Sequence, residues 1–229
     1  IGTFIPAGPY GVVNSTAGQM SLSKDGSRIA SVNFQSGTVE VFDFNVASGQ
    51  VSNQILLNKT YPAAWGVEFS ADASKLYLSV YNSSSILQFD LSSGNAATIT
   101  SSETSIGNIT GANCPGFSGA TGYLQRGPDD KIYLAKCGAN YVSVINFPNN
   151  FGALCGFVDN GVYLNFKVST FGLSRSVANE CMSSGINDLH NANFIFISPN
   201  PNSGNFDIQF SDNTIFKNMS LKIYNSLGK

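Results

Sequence analysis

The sequence predicts an all-β chain of repeated four-stranded antiparallel units, and three observations predict it. A strand, turn, strand, turn, strand pattern occurs three times along the chain. Within these strands apolar and polar residues alternate with period two, as in residues 75–80 and 39–42, which is the signature of a half-buried strand. Strong helix signals are absent, while Ser, Asn, Thr and Gly are abundant.

The first copy, "SLSKDGSRIASVNFQSGTVEVFDF", covers residues 21–44. Asp25 and Gly26 supply its tight turn, because Asp and Gly tolerate the unusual backbone angles such a turn needs. The second, "EFSADASKLYLSVYNSSSILQFDL", covers residues 68–91 and turns at Asp72. The third, "LQRGPDDKIYLAKCGANYVSVINF", covers residues 124–147 and turns at Asp129 and Asp130. Their third strands end at Phe44, Leu91 and Phe147, and a fourth strand is expected at residues 54–57, 97–100 and 161–164.

The internal spacing holds in all three copies. It is 18 residues from Asp25 to Asp43 and from Asp72 to Asp90 (43 − 25, 90 − 72), and 17 from Asp129 to Asn146 (146 − 129). Successive copies lie 47 and 57 residues apart (72 − 25, 129 − 72). Such lengths fit the blades of a β-propeller, about 40–50 residues each, which must stack on neighbours to cover their faces. Residues 1–17 and 166–177 read as parts of flanking blades, and further N-terminal blades are expected to complete the ring. The repeats also resemble the YVTN/WD40-like β-propeller family, whose blades carry an "SPDGSKLYV…VSVFDL"-type pattern. The resemblance runs over residues 11–164, with Ala73 where the turn glycine is usual.

Composition changes after residue 177. Residues 178–193, "ANECMSSGINDLHNAN", are small and polar and read as a linker. In residues 194–229, Phe206, Ile208 and Phe210 alternate with polar residues as one strand, and Leu221, Ile223 and Leu227 mark a second. Pro199 and Pro201 can lie only before or at the edge of that sheet, because proline cannot donate to a ladder. This segment resembles the type A C-terminal sorting domain of the type IX secretion system in the Bacteroidota. That family pairs a "PNPxxGxFxI" opening with an "IYNxxGK" stretch, matched here by Pro199, Asn200, Pro201, Gly204, Phe206 and Ile208, then by Ile223, Tyr224, Asn225, Gly228 and Lys229. The family normally continues past the "GK" into further strands, so the expectation is a partial β-sandwich, truncated. The resemblance implies type IX export machinery as a partner and a secreted or outer-membrane-surface location.

Charge excludes some functions. The chain has 12 basic and 14 acidic residues, a formal net charge of −2, so no electrostatic footprint for nucleic acid is present. No apolar run approaches the ~18–20 residues of a transmembrane segment. Cys114, Cys137, Cys155 and Cys181 lack CxxC spacing, which argues against zinc, and no metal or cofactor is expected. If any cysteines pair, Cys114 and Cys137 are the candidates, because both fall in loops expected on one face of the third blade. Four reduced, buried thiols remain the alternative.

Catalytic candidates are few. His190 is the only histidine and falls in the linker, so no Ser/His/Asp system is expected. Residues 116–120, "GFSGA", miss the last glycine of a nucleophile elbow. Asp129 and Asp130 are read as turn residues and not as paired carboxylates, and no channel-facing carboxylate is expected in the visible blades.

Binding candidates are clearer. Trp65 and Tyr123 each stand just before an inner strand, where an aromatic ring either stacks on a ligand or packs between blades. The segment 101–121 makes the second repeat 10 residues longer than the first (57 − 47) and offers Asn108, Asn113 and Phe117. Long insertions on rigid repeats carry binding residues more often than scaffold. The function expected is a non-catalytic binding or adhesion module for a glycan or peptide. The alternative is a lactonase-like hydrolase or quinoprotein relative with its catalytic residues on other blades.

Overall fold

The computed structural model describes residues 17–117, 119 and 121–173, and the backbone of 195–198 and 207–210. The chain divides into two compact units, residues 1–179 and 180–229. In the first, three four-stranded antiparallel sheets follow one another with strictly sequential strand order. Blade 1 is β1 (Met20–Leu22), β2 (Arg28–Val32), β3 (Val39–Asn45) and β4 (Gln50–Leu56). Blade 2 is β5 (Ala64–Phe69), β6 (Lys75–Val80), β7 (Ser85–Asp90) and, after helix α1 (Ala96–Ser101), β8 (Thr104–Asn108). Blade 3 is β9 (Thr121–Arg126), β10 (Ile132–Lys136), β11 (Tyr141–Ile145) and β12 (Phe157–Tyr163). The fold is all-β, made of propeller blades that form part of a ring.

One strand expectation is corrected. Residues 97–100 are helical and the fourth strand of blade 2 starts at Thr104. Asn95 explains the helix: its side chain accepts hydrogen bonds from the Ala97 and Thr98 amides, satisfying donors that would otherwise be orphaned at a helix start. The cap and the burial of Ile99 against the blade 1–blade 2 core override the β-branched Thr98, Ile99 and Thr100. Consequently Asn108 ends a strand, and the inserted loop is confined to residues 109–120.

The Asp turns occupy equivalent positions. Ser23 Oγ donates to Asp25 at 2.6 Å and accepts from the Arg28 amide, and Ser70 Oγ donates to Asp72 at 2.7 Å and accepts from the Lys75 amide. The Ser23 hydroxyl, with the Ser27 amide and hydroxyl, holds the Asp25 carboxyl down at about 2. In blade 3 Gly127 replaces the serine, and Asp129 accepts instead from the Tyr133 hydroxyl at 2.8 Å. Lys24 pairs with Asp130 at 2.8 Å, so the turns of blades 1 and 3 meet on one face.

Between blades the packing is apolar. Ala30, Val39 and Val41 of blade 1 meet Val67, Phe69, Leu76, Leu78 and Phe89 of blade 2, all fully buried. On the other side of blade 2, Tyr77 and Ile86 pack with Leu124, Ile132, Leu134 and Ile145 of blade 3.

Inner strands are also stitched edge to edge. The Gln19 amide donates to Trp65 O, and the Tyr123 amide donates to Phe171 O. Gln19 and Tyr123 are the same repeat position, so Phe171 stands where Trp65 stands, and residues 170–173 take the place of the start of a next inner strand. At the blade 2–blade 3 joint a hydroxyl intervenes: the Gly66 amide donates to Ser79 Oγ, which donates to Gly122 O at 2.7 Å. Gly66 is required there, since a Cβ would come within 2.5 Å of that Oγ and 3.0 Å of the Leu124 amide nitrogen.

In the second unit, β13 (Ile195–Ser198) pairs antiparallel with β14 (Asp207–Phe210), Ile197 opposite Ile208. Of the sorting motif, Ile208 lies on β14; Pro199, Asn200, Pro201, Gly204, Phe206, Ile223, Tyr224, Asn225, Gly228 and Lys229 lie outside the described residues, as do the linker, Cys181 and His190.

Candidate functional site

Six aromatic rings from all three blades gather at the end of the inner strands opposite the Asp turns. Trp65 is the hub. It stacks on Tyr123 with ring centroids 5.1 Å apart and planes 21° from parallel, and it meets Phe34, Tyr81 and Phe171 at 5.6, 5.4 and 5.9 Å. Phe117 joins edge-on through Phe171 at 5.2 Å and is 60% exposed. The other five rings are half-buried, so the cluster serves as blade packing and as an accessible apolar surface at once. The indole Nε1 of Trp65 is buried without a hydrogen-bond partner, an orphan donor of a kind that calls for an explanation.

The repeat accounts for this gathering. Phe34 and Tyr81 are equivalent positions just beyond the second strands of blades 1 and 2, and Phe171 is the equivalent of Trp65. Sequence reasoning named Trp65, Tyr123 and Phe117, and the structure brings these three together. It missed Phe34, Tyr81 and Phe171, although the 47-residue offset between Phe34 and Tyr81 was available to find two of them (81 − 34).

Asn108 and Asn113 do not join the cluster's hydrogen bonding. Asn108 ends β8 and its Oδ1 accepts from Ser84 Oγ at 3.4 Å. The backbone amide of Asn113 donates to Cys137 O at 2.9 Å, and its side chain is exposed. That bond helps staple the inserted loop. Cys114 and Cys137 form a disulfide, Cα atoms 5.1 Å apart, and Cys155 is a buried free thiol.

The start of the loop is fixed by a buried ion pair. Lys136 Nζ, fully buried, donates to Asp159 at 2.6 Å and to Thr110 O at 3.1 Å, while the Thr110 amide and hydroxyl donate to Asp159. Burial alone would raise the Asp159 carboxyl, but the bonds from Lys136, Thr110 and Ser143 take it below its ordinary value. A charge buried with this many partners holds a single geometry. Phe117 is therefore presented from a loop anchored at two points.

Beside the cluster, a groove of about 600 Å³ runs along the inner strands, walled by Gln19, Ser21, Glu68, Tyr123, Gln125 and Gly172 among others. The expectation that the visible blades offer no channel-facing carboxylate is corrected here, because Glu68 lines this groove. Glu68 lies on β5, and only the packed blades show that its side chain turns to the groove. Its carboxylate accepts from Ser21 Oγ at 2.6 Å, the Phe69 amide at 2.9 Å and the Arg126 amide at 3.1 Å, one donor from each blade. Burial pushes its pKa up, against the pull of those three bonds. Gln19 does similar work: its Oε1 accepts from the Val67 and Leu124 amides and its Nε2 donates to Leu124 O at 2.6 Å. Among the described residues no group of three or more His, Cys, Asp or Glu could hold a metal. No helix among them is long and apolar enough to cross a membrane.

No protein-family model matches the chain, and no curated protein matches it either. Solved structures do. The periplasmic gluconolactonase PpgL of Pseudomonas aeruginosa is similar over 64% of this chain and 45% of its own, at 16% identity and a TM-score of 0.45. Hydrazine synthase of Kuenenia stuttgartiensis is similar over 62% of this chain and 36% of its own, at 19% identity and a TM-score of 0.39. An auxiliary nutrient binding protein of Bacteroides thetaiotaomicron is similar over 56% and 27%, at 14% identity and a TM-score of 0.39. The chain spans less than half the length of each, and likenesses this shallow say nothing of activity.

Proposed function

We propose that this chain is the propeller part of an exported binding protein whose ligand, a glycan or a peptide, docks on the aromatic cluster centred on Trp65. The observation that carries the reading is the gathering of six rings from all three blades, one of them presented on a doubly anchored loop. Rings of this kind bind through large apolar faces at small conformational cost, since aromatic side chains have few rotatable bonds. Phe117 supplies exposed contact area and no bond-making chemistry. Trp65 is the chain's only tryptophan, so its fluorescence reports on the site directly. Titration with immobilisable glycans and peptides should shift or quench that emission. Phe117→Ser should weaken binding at least tenfold without changing the melting temperature. A ligand that binds with unchanged Trp65 emission, or equally well to the Phe117→Ser protein, refutes the assignment.

Export through the type IX machinery, with release or retention at the outer surface, is the localisation we propose from the two C-terminal motifs. Removing residues 194–229 from the chain should leave it inside the cell. Export that continues without them would end this part of the reading.

A second reading has one observation in its favour. Glu68 is a buried carboxyl on a groove wall with a raised pKa, a disposition that general acids share. On that reading the chain is a lactonase-like hydrolase. Lactone hydrolysis abolished by Glu68→Gln in a folded protein would support it, and unchanged hydrolysis or none at all in the parent would dismiss it.

A further inference from the structure

The groove beside the cluster has a chemistry of its own. Tyr123 belongs to both: Trp65 covers one side of its ring, and the ring also walls the groove. Among the described residues, the polar groups of the wall are two hydroxyls, of Ser21 and Tyr123, two amides and one carboxylate, and no lysine or arginine side chain lines it. An anionic ligand would meet the Glu68 carboxylate directly, whereas Arg126, whose charge acts on that carboxylate, is not among the lining residues.

What is left over at a second, polar hub formed by Glu68, Gln19 and Ser21 is informative. A carboxylate offers about four acceptor sites, and among the described residues three donors reach Glu68. The Gln19 amide nitrogen has two N–H groups and one described acceptor, Leu124 O. Ser21 Oγ donates to Glu68 and keeps its own acceptor capacity. The hub thus presents acceptors and a donor side by side. A hydroxyl group, which donates and accepts at once, matches that pattern; a carboxylate or phosphate does not.

We propose that this groove binds an uncharged saccharide, with the apolar face of a sugar ring against Tyr123 and its hydroxyls at Glu68, Ser21 and Gln19. The proposal rests on the binding-module reading and names its ligand class. Sugar recognition commonly combines an aromatic face with planar polar side chains, and here both stand within one groove of about 600 Å³, room for a few sugar units.

Gly172 supplies a test that spares the fold. Among the described residues a Cβ there would meet the Tyr123 ring alone, at an ordinary 3.6 Å, so a side chain at this position lies in the groove beside that ring. The full chain and its Gly172→Leu variant, matched in melting temperature, are titrated by calorimetry with neutral cello-, manno-, xylo- and malto-hexaose. Hexagalacturonate is the anionic control and a neutral Gly/Ser hexapeptide the peptide control. At least one neutral hexaose should bind the parent, at least tenfold more tightly than hexagalacturonate, and Gly172→Leu should lose at least tenfold. Binding undiminished by Gly172→Leu removes the groove but keeps the aromatic site, which Trp65 emission reports separately. Binding of the peptide alone, tighter binding of the anionic sugar, or no binding of any neutral hexaose overturns the proposal.

Discussion

Blades 1 and 2 carry the same pattern, but their surroundings differ. In blade 2 the paired rows Val67–Leu78 and Phe69–Leu76–Phe89 are fully buried against blade 1. The equivalent rows in blade 1 are Met20–Ser31 and Leu22–Ile29–Phe42, and there Met20 is 61% and Leu22 46% exposed. Four of these five blade 1 side chains are still apolar. A repeat keeps its apolar pattern whether or not a neighbour covers it, and the energy of that pattern is released only by the neighbour. The same holds at the other end, where Val158, Val162 and Tyr163 of blade 3 are 40–44% exposed on β12.

The largest expected effect comes from exchanging these two settings. Phe69→Ala in blade 2 should cost about 3–5 kcal/mol, because it opens a cavity in a fully buried face. Leu22→Ala, at the same repeat position in blade 1, should cost under about 1 kcal/mol. Urea unfolding of the two variants measures the contrast. Equal costs would mean that something covers blade 1 in solution.

The second test concerns the joints. Blade 1 passes to blade 2 through a short segment, whereas blade 2 passes to blade 3 through the loop 109–120 stapled by Cys114 and Cys137, 23 residues apart. Removing that link with Cys114→Ser and Cys137→Ser together should cost about 3 kcal/mol, from the added freedom of the unfolded chain. Reducing agent should destabilise the parent equally and leave the double variant unaffected. A matching loss in both would show that the disulfide carries none of the stability.

How much of this was legible beforehand differs by level. The blades were legible because Asp25, Asp72 and Asp129 recur with near-constant spacing to the end of the third strand. The helix at Ala96–Ser101 was not, since Thr98, Ile99 and Thr100 favour strands locally and only the Asn95 cap and the pocket for Ile99 reverse them. Trp65 and Tyr123 were legible as large aromatics at the inner strands, although both lie within β5 and β9 and not before them. Glu68 was hidden, because its repeat partners are Ser21 and Gln125 and nothing in a lone Glu says that three blades converge on it.

The third test uses those partners. Glu68 is the only titratable member of the set Ser21, Glu68 and Gln125, and burial raises its pKa. A carboxyl raised in the folded state binds more protons folded than unfolded, so its contribution to stability falls as pH rises from the unfolded pKa through the folded one. Glu68→Gln should cost about 1–3 kcal/mol at low pH, since an amide nitrogen must then face a backbone N–H. The gap between parent and variant should narrow as pH rises. A gap that widens with pH would mean that the three donors outweigh burial.

The smallest effect lies in the Asp turns, where blades 1 and 2 differ at the left-handed position. Gly26, Ala73 and Asp130 occupy the equivalent turn position with φ of 74°, 56° and 61°. This is the left-handed region, which glycine adopts freely and a residue with a Cβ adopts at a cost of about 1–2 kcal/mol. Ala73 therefore carries strain that Gly26 does not. Ala73→Gly should relieve it, less the extra entropy glycine brings to the unfolded chain, for a net gain of about 0.5–1 kcal/mol. Gly26→Ala should lose about as much and somewhat more, because the new Cβ would come within 3.0 Å of a Val46 methyl while finding the same turn. Both are read from denaturant midpoints at constant slope. If the two substitutions shift stability in the same direction, backbone strain does not distinguish the turns, and the hydrogen bonds from Ser23 and Ser70 to their aspartates set both.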